Sequence, residues 1–108
     1  MKLVDLESAE LRNGNILRLP ARWPYEEKVD LMVVDLSDEE TPYALVVSSG
    51  HKAGLILIRL PCECVALEGR GIRKKWLIDN WAKWVYPECE VGDVCFIDRY
   101  QVVLSVGI

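Results

Sequence analysis

The sequence contains a single histidine, His51, and its four cysteines include no Cys-x-x-Cys pair. Zinc sites in proteins use thiolates and imidazoles at characteristic spacings, and this chain does not offer such a set. We therefore predict no metal site and interpret the cysteines as free thiols, buried or partly exposed. A disulfide such as Cys64–Cys89 is the alternative, which a reducing compartment disfavours.

The chain also lacks a hydrophobic run of the roughly 20 residues that a membrane-spanning helix needs. A secretory signal is not indicated either, because Asp5, Glu7 and Glu10 follow closely on the first residues. These absences predict a cytoplasmic protein without a membrane partner. The length of 108 residues and the hydrophobic content of 51% predict one domain, 1–108, with one ordinary core.

The net formal charge is −4, and the charges are unevenly placed. Residues 26–40 hold seven acids and one cation, whereas residues 70–75 hold four cations and no acid. An acidic protein repels nucleic acid, so nucleic-acid binding is disfavoured. Each run is typical of a solvated face, but the acidic excess also suits a basic partner. The four cations are Arg70, Arg73, Lys74 and Lys75.

Three hydrophobic segments, 29–36, 43–48 and 54–60, are rich in valine, isoleucine and leucine. Continuous runs of this length are typical of central strands that are covered on both faces. The short connections between them favour antiparallel neighbours, so we predict a three-stranded meander.

The flanking segments predict further strands. Residues 15–19 follow Asn13-Gly14, a pair typical of a tight hairpin turn, and residues 94–98 and 102–106 are spaced to form a hairpin. Residues 3–12 permit either a helix or a strand. The predicted fold class is α+β, with a curled antiparallel sheet or a small, partly open barrel of five to six strands.

One main helix is predicted near residues 72–86. At 100° per residue, Trp76, Trp81 and Trp84 share the apolar arc of this helix, and Pro87 ends it. Each tryptophan can bury 150–250 Å2, so the stripe indicates a core-facing side rather than an exposed aromatic platform.

A candidate for nucleophilic catalysis is the loop that contains Ser48, Ser49 and His51, where a hydroxyl and an imidazole lie close in sequence. The loop matches no nucleophile elbow and no phosphate-binding loop, and a polar hairpin loop is the simpler interpretation. We therefore predict no catalytic residues and no cofactor.

Three longer stretches carry a family resemblance: GNILRLPARWPYEEKVDLMVVDL, LVVSSGHKAGLILIRLP and GIRKKWLIDNWAKWVYPEC. Together they resemble the immunity protein 45 family of bacterial polymorphic toxin systems, over roughly residues 12–98. The resemblance implies a cytoplasmic antidote that binds one cognate toxin domain, one to one, and neutralises it without catalysis or cofactor. It does not imply what the toxin does, although a nuclease with a basic cleft would suit an acidic inhibitor.

The acidic segment and the aromatic residues before it form the hypothetical contact surface for such a partner. Carboxylates would steer the toxin and pair with its cations, and aromatics would anchor it; capping of one end of the barrel is the alternative role for the aromatics. A small nucleic-acid- or ligand-binding barrel that uses residues 70–75 is the alternative function. The proposed partner-binding residues are Trp23, Tyr25, Glu26, Glu27, Asp38, Glu39 and Glu40.

Overall fold

The computed structural model describes residues 1–67 and 70–101. Its strands are β1 (Glu10–Leu11), β2 (Ile16–Pro20), β3 (Lys28–Asp35), β4 (Tyr43–Val47), β5 (Ile56–Leu60), β6 (Ile72–Arg73) and β7 (Cys95–Ile97). The helical segments are α1 (Lys74–Asp79), a π-helical turn (Trp81–Val85), and 3₁₀ turns at Leu3–Asp5, Cys62–Cys64 and Val91–Asp93.

The main sheet is antiparallel, with the strand order β5-β4-β3-β2-β7. The meander predicted from the three hydrophobic runs is confirmed as β3, β4 and β5, and β2 extends it on the other side. An extra residue, Leu57, interrupts the pairing of β5 with β4, because Leu45 pairs with Ile58 and Val46 with Ile56. This arrangement is a β-bulge, which bends the strand at the edge of the sheet.

The predicted α+β class is confirmed, and the sheet is open rather than closed into a barrel. Closure would require β7 to pair with β5, but the outer side of β7 carries the first residues of the chain. Met1 O accepts a hydrogen bond from Phe96 N at 2.7 Å, and Lys2 forms a bridge with Cys95.

The two faces of the sheet differ. The inner face carries residues such as Leu17, Leu31, Val33, Leu45 and Val47, which belong to the buried core. Since side chains alternate along a strand, the intervening residues point to the outer face. The outer face is formed by Ile16, Arg18, Asp30, Met32, Val34, Ala44 and Val46.

A second layer covers the inner face. It contains the small sheet of β1 and β6, together with α1 and the π-helical turn. Leu11, Ile72, Leu77 and Trp81 contribute its fully or almost fully buried side chains. The core therefore lies between the inner face and this irregular layer.

The single helix predicted for residues 72–86 is divided into two parts. α1 ends before Asn80, and the π-helical turn begins after it. The Asn80 backbone N–H and its side-chain Nδ2 both donate to the Trp76 carbonyl, at 3.0 and 2.8 Å. A side chain that competes for helix carbonyls in this way disturbs regular α-helical hydrogen bonding. The helical-wheel prediction did not consider this competition.

The inward orientation of the tryptophan stripe is confirmed. Trp81 is 2% exposed and belongs to the core, while Trp76 and Trp84 are partly buried and pack against the core. The rings of Trp76 and Trp84 also contact each other, with centroids 6.0 Å apart. The stripe is therefore a packing surface.

The first part of the chain contains both alternatives left open for residues 3–12, a 3₁₀ turn and the short strand β1. Asn13-Gly14 does form a turn, but the hairpin prediction is wrong, since β1 pairs with β6 and not with β2. Gly14 N instead donates to Val33 O at 2.8 Å, next to the β2–β3 ladder. The second strand of the other predicted hairpin, 102–106, lies outside the described residues.

Replacement of Trp81 by alanine is expected to lower the free energy of unfolding by about 3–5 kcal/mol, because a large cavity forms in the core. Urea denaturation followed by circular dichroism measures this loss. Trp84→Ala is the matched control and should cost less, since Trp84 is only partly buried. Equal losses in the two variants would contradict the burial that distinguishes them.

Candidate functional site

The loops of the meander fall at two ends of the sheet. The tryptophan loop (residues 21–27) joins β2 to β3, and the histidine loop (residues 48–55) joins β4 to β5, so both lie at one end. The acidic turn (residues 36–42) joins β3 to β4 and lies at the other end. At roughly 3.4 Å per residue, the eight residues of β3 separate the two ends by about 25 Å.

This topology divides the predicted contact residues into two groups. Trp23, Tyr25, Glu26 and Glu27 lie in the tryptophan loop, whereas Asp38, Glu39 and Glu40 lie in the acidic turn. Proximity in the sequence suggested one patch, but the length of β3 separates the groups.

The tryptophan loop is held in place by backbone hydrogen bonds. Ala21 N donates to Glu27 O across its base at 2.8 Å, and Tyr25 N donates to Arg22 O at 2.8 Å. The peptide bond between Trp23 and Pro24 is cis. These contacts shape the loop into a turn with Trp23 close to its tip.

The two aromatic residues of this loop point in different directions. Tyr25 packs edge-on against Tyr86, with ring centroids 6.3 Å apart, and Tyr86 Oη accepts a hydrogen bond from Arg22 N at 3.0 Å. Tyr25 thus contacts the core, as the capping alternative predicted. Trp23 does not, since 90% of its surface is exposed.

Glu26 connects the tryptophan loop to the histidine loop. Its Oε1 accepts a hydrogen bond from His51 N at 3.1 Å and lies 2.5 Å from His51 Nδ1. The backbone amide of His51, the amide of Glu26 itself and the imidazole lower the pKa of Glu26 to about 2. Gly50, at φ +72°, lies against the same carboxylate and leaves no room for a Cβ.

The hydroxyls that made the histidine loop a catalytic candidate are bonded elsewhere. Ser48 Oγ lies 2.8 Å from Tyr100 Oη, and Ser49 Oγ accepts a hydrogen bond from Asp30 N at 2.9 Å. Among the hydrogen bonds of the described residues, neither hydroxyl reaches His51. The arrangement therefore lacks the contact between nucleophile and base that catalysis of this kind uses.

An ion pair between the buried Asp30 and the exposed Arg18 lies below these loops on the outer face. Arg18 and Asp30 are register partners of β2 and β3, and the guanidinium donates to both carboxylate oxygens at 2.8 and 3.0 Å. Tyr100 Oη donates to Asp30 Oδ2 at 2.6 Å. Asp30 is only 3% exposed.

Burial alone would raise the pKa of Asp30, but the hydrogen bonds from Arg18 and Tyr100 and the charge of Arg18 hold it below its usual value. The sequence-based interpretation assigned Asp30 to the acidic surface and missed this pair. The sequence does contain a signal for this pair, because each of two consecutive apolar strands has a charged residue in its interior, and the two charges are of opposite sign. The register of the hairpin places the two charges opposite each other.

The acidic turn uses one of its carboxylates for its own structure. Asp38 Oδ1 accepts hydrogen bonds from Glu40 N and Thr41 N, both at 2.9 Å. The amides of Thr41 and Glu40 lower the pKa of Asp38. Glu39 and Glu40 are exposed and are the acids of the turn best placed to meet a partner.

Three of the four basic residues of segment 70–75 form contacts within the chain. Arg73 Nη2 donates to Glu63 O at 2.7 Å, and Lys74 Nζ donates to Leu6 O. Lys75 Nζ forms an ion pair with Asp79 at 2.8 Å. Arg73 and Lys74 are therefore only partly exposed, whereas Arg70 and Lys75 remain exposed.

The four cysteines are free thiols. Burial raises the pKa of Cys64 to about 11 and also raises that of Cys89, whereas Cys62 is exposed. Within residues 1–67 and 70–101, no cluster of three or more His, Cys, Asp or Glu side chains is placed to hold a metal ion. The helices in this part of the chain are all too short or too polar to cross a bilayer.

Comparison with known protein families gives a match over most of the chain. The model of a protein family described as immunity protein 45 matches residues 3–96, which include every strand up to β7 and all seven predicted contact residues. The searches of curated proteins and of solved structures returned no match.

In an NMR titration of the side-chain carboxyls, Glu26 is expected to titrate near pH 2 instead of its usual value near 4.5. Because its pKa is lowered in the folded state, the stability it contributes is present above about pH 4.5 and is lost as the pH falls through 2. His51→Ala should raise the Glu26 midpoint only in part, since the backbone amide of residue 51 still donates.

Asp38 serves as the internal control in the same spectra. Its hydrogen bonds come from the acidic turn at the other end of the sheet, so its midpoint should not move in the His51→Ala variant. A Glu26 midpoint at the usual value in the unaltered chain would contradict the contact between the two loops.

Proposed function

Because the chain belongs to the immunity protein 45 family, we propose that it binds a cognate toxin domain, one to one, and neutralises it by covering the active site of the toxin. In this proposal the protein acts in the cytoplasm, as a binding partner rather than an enzyme. The family match is the observation on which the proposal rests. The exposed Trp23 and the exposed carboxylates at the two ends of β3 support it.

Trp23 is the proposed anchor. Tryptophan is enriched among the residues that dominate binding energy, and a fully exposed indole gains more from burial than a half-buried one. The loop that carries Trp23 is already fixed by hydrogen bonds at its base and by Tyr25, so binding would order few additional groups. Preorganisation of this kind increases affinity.

The carboxylates supply the charge complementarity. Glu26 and Glu27 lie beside Trp23, and Glu39 and Glu40 lie at the other end of β3. A standard interface of about 800 Å2 per partner is about 30 Å across, comparable with the length of β3. One toxin domain that lies along this strand would therefore reach both groups.

A nuclease is the candidate activity of the toxin. Enzymes that cleave nucleic acids need cations that face the phosphates, and exposed carboxylates can pair with these cations in place of the nucleic-acid backbone. The alternative function, a nucleic-acid- or ligand-binding module, relies on residues 70–75, whose internal contacts weaken that case. Retention of the protein on heparin or RNA would favour the alternative.

Trp23→Ala is expected to weaken binding of the toxin domain encoded beside this chain by at least roughly 30-fold, the loss typical of a hot-spot residue. Isothermal titration calorimetry measures the affinity. The melting temperature should be unchanged, because the exposed indole supports little of the fold. Leu67→Ala is the matched control, since Leu67 is 93% exposed outside the tryptophan loop.

Failure of the unaltered chain to bind that toxin domain would refute the proposed function. Binding that persists at full strength in Trp23→Ala would refute only the anchor.

The double variant Glu39→Lys/Glu40→Lys is expected to slow association roughly tenfold at low salt and to flatten its dependence on ionic strength. Asp38 is left in place because its carboxylate holds the turn. Stopped-flow fluorescence measures the rates. Asp5→Lys/Glu7→Lys has the same change in net charge and should behave like the unaltered chain. Identical kinetics in both double variants would remove the acidic turn from the contact surface.

A further inference from the structure

The two edges of the main sheet differ in how they are covered. Met1 and Lys2 contact the side of β7 that faces away from β2. Among the described residues, β5 pairs with β4 alone, so its other side carries no strand. Proteins usually blunt such an edge with lysine, proline or a covering segment. Residues 53–60, AGLILIRL, contain neither lysine nor proline and only one charge, Arg59. The β5 edge is therefore open to a partner.

The apolar side chains at the beginning of this edge are exposed. Leu55, the last residue of the histidine loop, is 49% exposed, and Ile56, the first residue of β5, is 41% exposed. Leu57 and Ile58, by contrast, pack against the core. Leu55 and Ile56 thus form an apolar patch at the end of the sheet that also carries Trp23.

The hydrogen bonds of Val47 define how the backbone of β4 is oriented. Val47 N donates to Leu55 O at 2.8 Å, and Val47 O accepts from Gly54 N at 2.6 Å, so the backbone groups of Val47 point toward the β5 side. These groups alternate in direction along a strand, so those of Val46 and Ala44 point toward β3 instead.

The unpaired backbone groups of β5 follow from these directions. Ile56 is opposite Val46, and Arg59 is opposite Ala44. Since Val46 and Ala44 turn their N–H and C=O groups toward β3, these two pairs exchange no hydrogen bonds. The N–H and C=O groups of Ile56 and Arg59 therefore point away from β4, to the open side of the sheet. An incoming extended segment would find two donors and two acceptors there.

Exposed carboxylates lie near both ends of this edge. At one end, Glu26 and Glu27 belong to the tryptophan loop, which contacts the histidine loop through His51. At the other end, Leu60 pairs with Tyr43, the residue that follows the acidic turn. A second copy of this chain carries the same net charge of −4 and is repelled, whereas a basic partner is attracted. The charges therefore favour a toxin domain with a basic cleft over self-association.

We propose that the open side of β5 binds an extended segment of the toxin domain, which adds a strand to the sheet. The inference rests on the proposed function, because the toxin is the partner. The segment pairs with the backbone of Ile56 and Arg59 and places apolar side chains against Leu55 and Ile56. It carries a cation where it reaches the acidic turn. Main-chain hydrogen bonds give affinity in this mode of recognition, and alternate side chains give specificity.

Such a segment also connects the two groups of predicted contact residues. β5 contains five residues and extends about 17 Å at roughly 3.4 Å per residue. It begins at the end of the sheet that carries Trp23 and ends beside the acidic turn. A strand along β5 therefore passes from the aromatic anchor to Glu39 and Glu40.

Amide hydrogen exchange followed by NMR tests the proposal on the unaltered chain. In the free protein, the amides of Ile56 and Arg59 should exchange faster than those of Ile58 and Leu60, whose backbone groups face β4. In the complex with the toxin domain encoded beside this chain, exchange at Ile56 and Arg59 should slow by at least roughly tenfold. Ile58 and Leu60 are the internal controls, because their hydrogen bonds to β4 are the same in both states.

A substitution on the edge tests the same contact by affinity. Ile56→Lys is expected to weaken binding of the toxin domain by roughly tenfold or more, because a charge on an edge strand opposes the addition of another strand. Isothermal titration calorimetry measures the affinity. Val4→Lys is the matched control and should bind like the unaltered chain, since Val4 is also 41% exposed but lies in the first 3₁₀ turn.

The outcomes separate this inference from the proposed function. Absence of any complex would refute the function itself. A complex in which Ile56 and Arg59 exchange as in the free protein, or equal affinities of Ile56→Lys and Val4→Lys, would overturn only the strand addition. Protection of the two amides in the free chain that increases with its concentration would show that a second copy occupies the edge, and would overturn it as well.

Discussion

The pairing of Arg18 with Asp30 is the interaction on which most of the molecule depends. A carboxylate that is 3% exposed is tolerated only when its oxygens are bonded, and here a bidentate guanidinium and the Tyr100 hydroxyl bond them. Only one register of β2 and β3 places Arg18 opposite the Asp30 carboxylate. A slip of one residue would move Asp30 to the inner face and Leu31 to the outer one. The register in turn determines where the tryptophan loop begins and ends.

The ion pair also connects parts of the chain that are far apart in sequence. Ser49 reaches the Asp30 backbone from the histidine loop, and Tyr100 reaches its side chain from beyond β7. The histidine loop is joined to the tryptophan loop as well, through His51 and Glu26. The loop that carries the exposed Trp23 is therefore held in place by contacts with the neighbouring loop.

The sequence was sufficient for the parts of the fold that depend on periodicity. Continuous apolar runs identified β3, β4 and β5, and short loops indicated their antiparallel order. The tryptophan stripe identified an inward-facing segment. The helical wheel did not consider Asn80, whose side-chain amide donates to Trp76 O at the point where α1 ends. Side-chain competition for backbone carbonyls has no periodic signature.

The candidate site was less accessible to sequence reasoning. Trp23 and Tyr25 are both aromatic and are two residues apart. Tyr25 packs against Tyr86, which is 61 residues further along the chain, whereas Trp23 stays exposed. The seven contact residues looked like one patch because they are close in the sequence, but the eight residues of β3 separate them in space. Distances across a strand and contacts between remote segments have to be taken from the structure.

The bulge at Leu57 has a consequence for how the protein behaves at high concentration. The β7 edge is covered by Met1 and Lys2, whereas β5 ends the sheet on the other side with Ile56 41% exposed. An edge of this kind is a template for strand addition and aggregation. Because the bulge leaves only Ile58–Leu60 in uninterrupted register, a growing fibril would find no more than three consecutive residues on which to start.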